Sequence, residues 1–384
     1  MAGFQSCVET FEPETLTFES ALVIEATITN KSKQQEVLLS RSFAFESEGP
    51  APESNAAVIV EDDQGTVVPF VETAAGKYLS ETPFAAQAGR SYRLRVTTSD
   101  GREYASEATR LSPEATLLEV FPERITNDDG VEGVAIRVNA SGTQGDARNY
   151  RYTYTESWKI IAPAWSPRKL VPDAPGGCGL IVVAREEDNQ VCYASEASNS
   201  IIITDTNDFP EDEVKQFIVR FINRDNYIIS HRYSILVRQL VQSDAAYSYY
   251  ETLKEFSGSE SLFSETQPGF LEGNVFSETD PAEKVLGYFD VATVQEKRIF
   301  FNYDDLFPGE PLPPYVDPCD PTAPVIANEG GCVLRPIVLA GFVTYFGDND
   351  PPPMGQGPFL VVPVECGDCT ALGKVEVPEF WTEE

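Results

Sequence analysis

Histidine is almost missing from this sequence: His231 is the only one in 384 residues. A single imidazole excludes multi-histidine zinc sites and the usual Ser-His-Asp and Cys-His machinery, and with them most hydrolase readings. His231 lies in HRYSILVRQLV, whose alternation reads as a strand, so a hydrogen-bonded structural role is expected of it. Basic residues are also short, with 28 Lys and Arg against 61 Asp and Glu and a formal net charge of −33. A surface that negative repels phosphate backbones, so nucleic acid is excluded as a partner. Hydrophobic runs are short as well. None approaches the ~18 apolar residues of a membrane-spanning helix.

What is present is turn and strand material. Twenty-eight Pro and 26 Gly stand beside two Met, with 42% apolar and 11% aromatic residues, a composition that folds and favours strands over helices. The length suits two or three domains. The expected fold class is all-β, mainly antiparallel. The acidic clusters at 61–63, 128–129, 186–188, 208–213, 304–305 and 348–350 sit mostly beside Gly, Pro or Asn and read as loops. None has the alternating oxygens, glycine and terminal glutamate of a helix–loop–helix calcium site, so calcium is unsupported by a motif and no metal or other cofactor is expected.

Residues 1–20 read as a tether. From 21 to 112, short alternating runs recur about every ten residues: Leu22, Ile24, Ala26 and Ile28 on one face, then 36–45, 56–61, 66–71, 77–79, 91–97 and 102–110. This predicts an immunoglobulin-like or transthyretin-like β-sandwich. Asp100-Gly101, between YRLRVTT and REYASEA, is the clearest hairpin. A larger β-rich region, 113–384, follows the phase break at Ser112-Pro113. In it YRYTYTESWKII puts Tyr150, Tyr152 and Tyr154 on one strand face, either a ligand-facing aromatic row or sheet packing. A short amphipathic helix is expected at 243–256, capped by Ser243. It leads into 267–301, where Phe270, Phe276, Tyr288, Phe289, Phe300 and Phe301 lie between turn residues such as Pro268-Gly269, with strands at 285–291 and 296–301. That stretch offers packing and no catalytic group. The last strands are read at 335–346 and 359–364, around Pro351-Pro352-Pro353.

There are seven cysteines, at 7, 178, 192, 319, 332, 366 and 369. Cys7 follows a short apolar-then-small run with serine before it, like the tail of a lipoprotein signal, and is the expected lipidation site. The other six form an even set suited to an oxidising compartment, and six cysteines allow 15 pairings. Cys178 with Cys192, bracketing a strand–turn–strand, is the favoured local pair. For the rest, Cys319–Cys332 with Cys366–Cys369 competes with crossed solutions that staple the C-terminal segment to the preceding loop.

These pieces together resemble one family, the Bacteroidota outer-membrane lipoproteins that share domain of unknown function 4249. The matching stretches are Cys7 with VETFEPE, 22–26, 38–41, 89–94 with Asp100-Gly101, and 150–158 with its YTES. They continue with 273–275, 286–289, 366–370 and 378–381. The resemblance implies a surface lipoprotein usually encoded near SusC-like TonB-dependent transporters, and the acidic residues after Cys7 resemble the surface-export signal of such lipoproteins. It carries over no catalytic residue. The expectation is a non-enzymatic, lipid-anchored subunit facing the cell exterior, partnered with an outer-membrane β-barrel and with other surface lipoproteins. The rivals are a subunit of outer-membrane assembly or secretion machinery, an adhesin-like module, and a glycan hydrolase built on paired carboxylates.

Overall fold

A computed structural model of the chain describes residues 20–43, 49–142, 147–208, 212–258 and 271–383. Cys7, the tether and the Pro268-Gly269 turn lie outside these residues. The described chain is all-β and mainly antiparallel, and it divides into two compact units, Met1–Pro113 with Gln242–Thr293, and Glu114–Val241 with Val294–Glu384. The helix and the 267–301 stretch as far as Thr293 thus join the N-terminal unit, where the sequence placed them in the second.

In the first unit the alternating runs pair as their periodicity demands. Leu22–Thr29 lies antiparallel to Glu36–Arg41, and the order continues through Lys77–Ser80, Val67–Ala74, Ala57–Asp62, Ser91–Thr97 and Glu103–Ser106 to Val275–Ser277. Their inward rows, with Leu22, Ile24, Ile28, Leu39, Val60 and Leu94, make one core. The Asp100-Gly101 hairpin forms, with Thr98 N–H donating to the Arg102 carbonyl at 2.9 Å and Gly101 at φ +85°.

One partner breaks the antiparallel rule. Val285–Asn302, a single strand where the sequence suggested two, runs parallel to Leu22–Thr29 from Leu22↔Val285 to Thr29↔Ala292. Parallel pairing needs a long connection, and here it is the whole intervening chain. The junction is close-packed: a Cβ on Gly287 (φ +111°) would lie 1.9 Å from the Ile24 carbonyl oxygen. Next to it Asn274 imitates a strand, its side-chain amide accepting from Phe289 N–H and donating to the Phe289 carbonyl, each at 2.8 Å. The helix runs Asp244–Gly258, with Ser243 Oγ accepting from the Ala246 amide at 3.2 Å, and Tyr249 packs 5.1 Å from Tyr288.

The second unit joins a three-stranded antiparallel sheet (Ala115–Thr126, Glu132–Gly142, Glu213–Asn223) to strands Asn149–Ile161, Val191–Ala197, Ile202–Asp205 and Arg232–Gln242 around a common core. Two hairpins, Arg168–Pro172 with Leu180–Ala184 and Val343–Asp348 with Phe359–Pro363, enclose a smaller core of Leu170, Leu180, Leu334, Tyr345 and Val361. The strand expected at 335–346 begins instead as a helix, Leu334–Leu339, and turns to strand at Val343.

An ion cluster ties the loops of this unit together. Glu132 meets Arg124 at 2.6 Å and Arg224 at 2.8 Å, Glu310 meets the same two arginines at 2.6 Å, and both guanidiniums lie over the buried Phe307 ring. Arg224 and Arg124 hold the Glu132 carboxyl below the usual carboxylate range. A depressed folded-state pKa contributes stability above the ordinary glutamate value of about 4.3, and that contribution is lost as pH falls through the lower folded value. Glu132→Gln is therefore expected to lower the melting temperature at pH 7 and to match the parent near pH 2. Melts across that range check it, and a gap independent of pH would refute the assignment.

Candidate functional site

The tyrosine row is not a ligand platform. Tyr150, Tyr152 and Tyr154 are buried in the core of the second unit. The Tyr150 hydroxyl donates to the Ala147 carbonyl, the Tyr152 hydroxyl donates to Gln239 Oε1 at 2.9 Å, and Tyr152 packs 5.6 Å from Phe217. Burial pushes all three phenols up, as expected where phenolate would be desolvated. The row faces inward because the sheet of Ala115–Thr126 and its neighbours covers it, a layer that strand periodicity alone does not reveal.

On the same strand Glu156 is buried and engaged three times. Arg220 approaches its two carboxylate oxygens with Nη2 and Nε at 3.1 and 3.2 Å, and the Tyr233 hydroxyl donates to Oε2 at 2.5 Å. Arg220 also lies 5.8 Å from the Tyr154 ring. The geometry is that of a satisfied buried pair, a device for fixing strand positions. His231 stands at the start of the adjoining strand, half-buried, its imidazole pushed down by burial and by Lys159.

The cysteines pair across the chain. The bonds are Cys178–Cys332, Cys192–Cys369 and Cys319–Cys366, with sequence separations of 154, 177 and 47. All six predicted cysteines are bridged, but the favoured Cys178–Cys192 pair does not form, nor do Cys319–Cys332 and Cys366–Cys369; Cys319–Cys366 is a crossed bond that staples the C-terminal segment to the preceding loop. Cys192 is turned into the core on Val191–Ala197, where Cys369 reaches it, while Cys178 lies on the loop before Leu180 and meets the short strand Gly331–Cys332. Asp317 lies beside Cys319 and Cys366, but both sulfurs are spent in a disulfide and no thiolate is left for a metal.

The staples are supported by a polar knot. Arg185 donates to Asn189 Oδ1 at 2.9 Å and to Thr344 Oγ1 at 2.7 Å, Trp165 Nε1 donates to Asn189 Oδ1 at 3.1 Å, and Asn189 Nδ2 donates to Asp368. Asp368 in turn accepts from the Thr370 amide at 3.0 Å, capping the turn that carries Cys369. Between Cys332 and Cys366 large apolar side chains face solvent: Leu339 is 62% exposed, Phe342 67% and Met354 fully. Rigid backbone with exposed apolar groups is what a contact surface offers. Sequence reasoning missed it. The signal was Leu339-Ala340-Gly341-Phe342, apolar residues at a turn where polar ones are usual.

Carboxylates in four of the acidic clusters are engaged locally. Asp62 accepts from Arg90 and the Thr66 amide, Glu187 from Lys169, Asp305 from the Asn302 amide, and Asp348 from Tyr345.

Fold and staples together define an all-β, disulfide-bonded protein. A family model described as Domain of unknown function (DUF4249) matches residues 8–298, and the chain belongs to that family. No curated protein matches it. Among solved structures, a DUF4785 family protein from Legionella pneumophila aligns at 10% identity over 56% of this chain and 51% of its own, with a TM-score of 0.18.

Proposed function

We propose that this chain is an exported, lipid-anchored accessory subunit that docks on an outer-membrane β-barrel at the cell surface, most specifically a SusC-like TonB-dependent transporter, and that it binds rather than converts its ligand. The observation that carries the reading is the disulfide-bonded segment, with three bridges and the Arg185–Asp368 knot, in which Leu339, Phe342 and Met354 are exposed. Disulfides persist in oxidising compartments, which supports export. Apolar side chains displayed on rigid backbone support docking on a protein rather than free solubility. The lipidation at Cys7 and the transporter class rest on the family resemblance.

Affinity purification from native outer membranes in mild detergent, followed by mass spectrometry, tests the reading. A SusC-like barrel is expected to co-purify, and Leu339→Glu with Phe342→Glu is expected to release it while leaving the melting temperature within a few degrees of the parent. A protein that migrates alone would remove the subunit reading. A barrel-assembly or secretion protein in its place would move the function to envelope biogenesis.

A further inference from the structure

The segment Pro378–Glu383 has no regular secondary structure, yet it is held as a bound peptide is held, by anchored side chains. The Arg298 guanidinium sits 3.5 Å over the Phe380 ring. Trp381 is buried, with Tyr193 at 5.0 Å and Phe300 at 5.8 Å, both meeting it edge-on. Arg232 donates to the Thr382 carbonyl and to its hydroxyl. The Glu383 carboxylate accepts from Lys159 Nζ at 3.0 Å, the Tyr193 hydroxyl at 3.1 Å and Trp381 Nε1 at 3.2 Å. Burial opposes ionisation of that carboxyl, but Lys159 and its other donors outweigh it and hold the pKa low.

The receiving residues come from four strands of one sheet. Lys159 and Tyr193 are cross-strand partners and Arg298 and Phe300 are two apart, so each pair shares a face. In a chain with 28 basic residues against 61 acidic, three of the basic ones converge on six residues. Immediately upstream the chain is pinned by Cys192–Cys369 and by paired backbone bonds between Tyr193 and Lys374, at 2.8 and 2.9 Å. Between pin and seat, Val375–Val377 is exposed. The segment can therefore leave without breaking a staple.

We propose that this face is a peptide-recognition groove for a partner segment in which an aromatic residue is followed two positions later by a carboxylate, and that Pro378–Glu383 occupies it in cis until such a segment displaces it. A buried Trp packed on Tyr, with Arg beside its neighbours in the segment, is the usual chemistry of an interface hot spot. Elsewhere the net-negative surface repels an acidic peptide, so the groove is where one gains charge complementarity. A short tether gives the cis segment an effective concentration of about 1 mM, so a cis segment of ~10 μM intrinsic affinity weakens a competitor about 100-fold while the latch is closed.

The probe is a fluorescein-labelled peptide, VPEFWTE, read by fluorescence anisotropy on the full chain. Trp381→Ala with Glu383→Lys, which opens the latch, is expected to bind it at least tenfold more tightly than the parent, and to lose that binding when Lys159→Glu and Arg232→Ala are added. As a second route that leaves the segment's sequence intact, a protease site inserted at Val375–Val377 is cut in the folded protein, after which the peptide is expected to exchange in. No binding by either opened form, with cooperative melting retained, overturns the proposal. So does an opened form that dimerises by exchanging segments and ignores the peptide, or binds a scrambled peptide equally well.

Discussion

Replacing Cys192 and Cys369 together by Ala is expected to lower the melting temperature of the second unit by about 10 °C, at ~3–5 kcal/mol for a long-loop disulfide and ~2–4 °C per kcal/mol in a unit of this size. The bond closes a loop with a sequence separation of 177, the longest of the three, and so removes the most freedom from the unfolded chain. It also joins the core strand Val191–Ala197 to the turn that Asp368 caps, so its loss frees the polar knot and the seat of Pro378–Glu383 together. The Cys319–Cys366 bridge, with a separation of 47, is expected to cost about 1 kcal/mol less on loop entropy alone. Calorimetry of the paired alanine variants, with a free-thiol count for each, measures both effects. An unchanged melting temperature for the Cys192/Cys369 variant would mean that packing already restrains the segment and that the bond adds nothing.

The second large effect is at Glu156. Glu156→Ala is expected to destabilise the second unit by about 3 kcal/mol, because it leaves Arg220 and the Tyr233 hydroxyl without their buried acceptor. The Arg220 side chain keeps 28% exposure, which lets water recover part of the loss and keeps the figure at the low end for a broken buried pair. Glu156→Leu combined with Arg220→Met removes both charges and is expected to cost less than Glu156→Ala alone. Urea unfolding of the singles and the double closes the cycle. If the single substitution proves neutral, the pair has no structural role and the buried carboxylate would be open to another reading.

The N-terminal unit was legible because its strands alternate cleanly. Leu22, Ile24, Ala26 and Ile28 needed only their spacing to be placed inside, and Asp100-Gly101 needed only its turn chemistry. The parallel partner of that first strand was not legible. Nothing in the composition of Val285–Ala292 distinguishes a strand that returns to residue 22 from one that pairs with its neighbour in sequence. The tyrosine row shows the same limit at the level of a face: period two gives the side, but only the covering layer decides whether that side is wet. The disulfides failed for a related reason. Proximity in sequence favoured Cys178–Cys192, whereas pairing follows Cα geometry, with Cα–Cα distances of 5.0, 5.5 and 5.6 Å in the bonds that form. The helical start of the 335–346 run was read as strand because its apolar run is too short for periodicity to separate helix from strand.

The pairing of the cysteines has a consequence for how the molecule is made. A chain that enters an oxidising compartment N-terminus first delivers Cys178 and Cys192 together, while their native partners Cys332 and Cys369 are still to come. The first bond open to an oxidase is therefore the wrong one. Reaching the native set requires either that oxidation wait until almost the whole chain has crossed or that an isomerase reshuffle the early bond, on the slow timescale of thiol exchange. Where an exported chain is oxidised as it crosses, an isomerase is the route to the native set, and expression where only an oxidase is present should accumulate the 178–192 isomer.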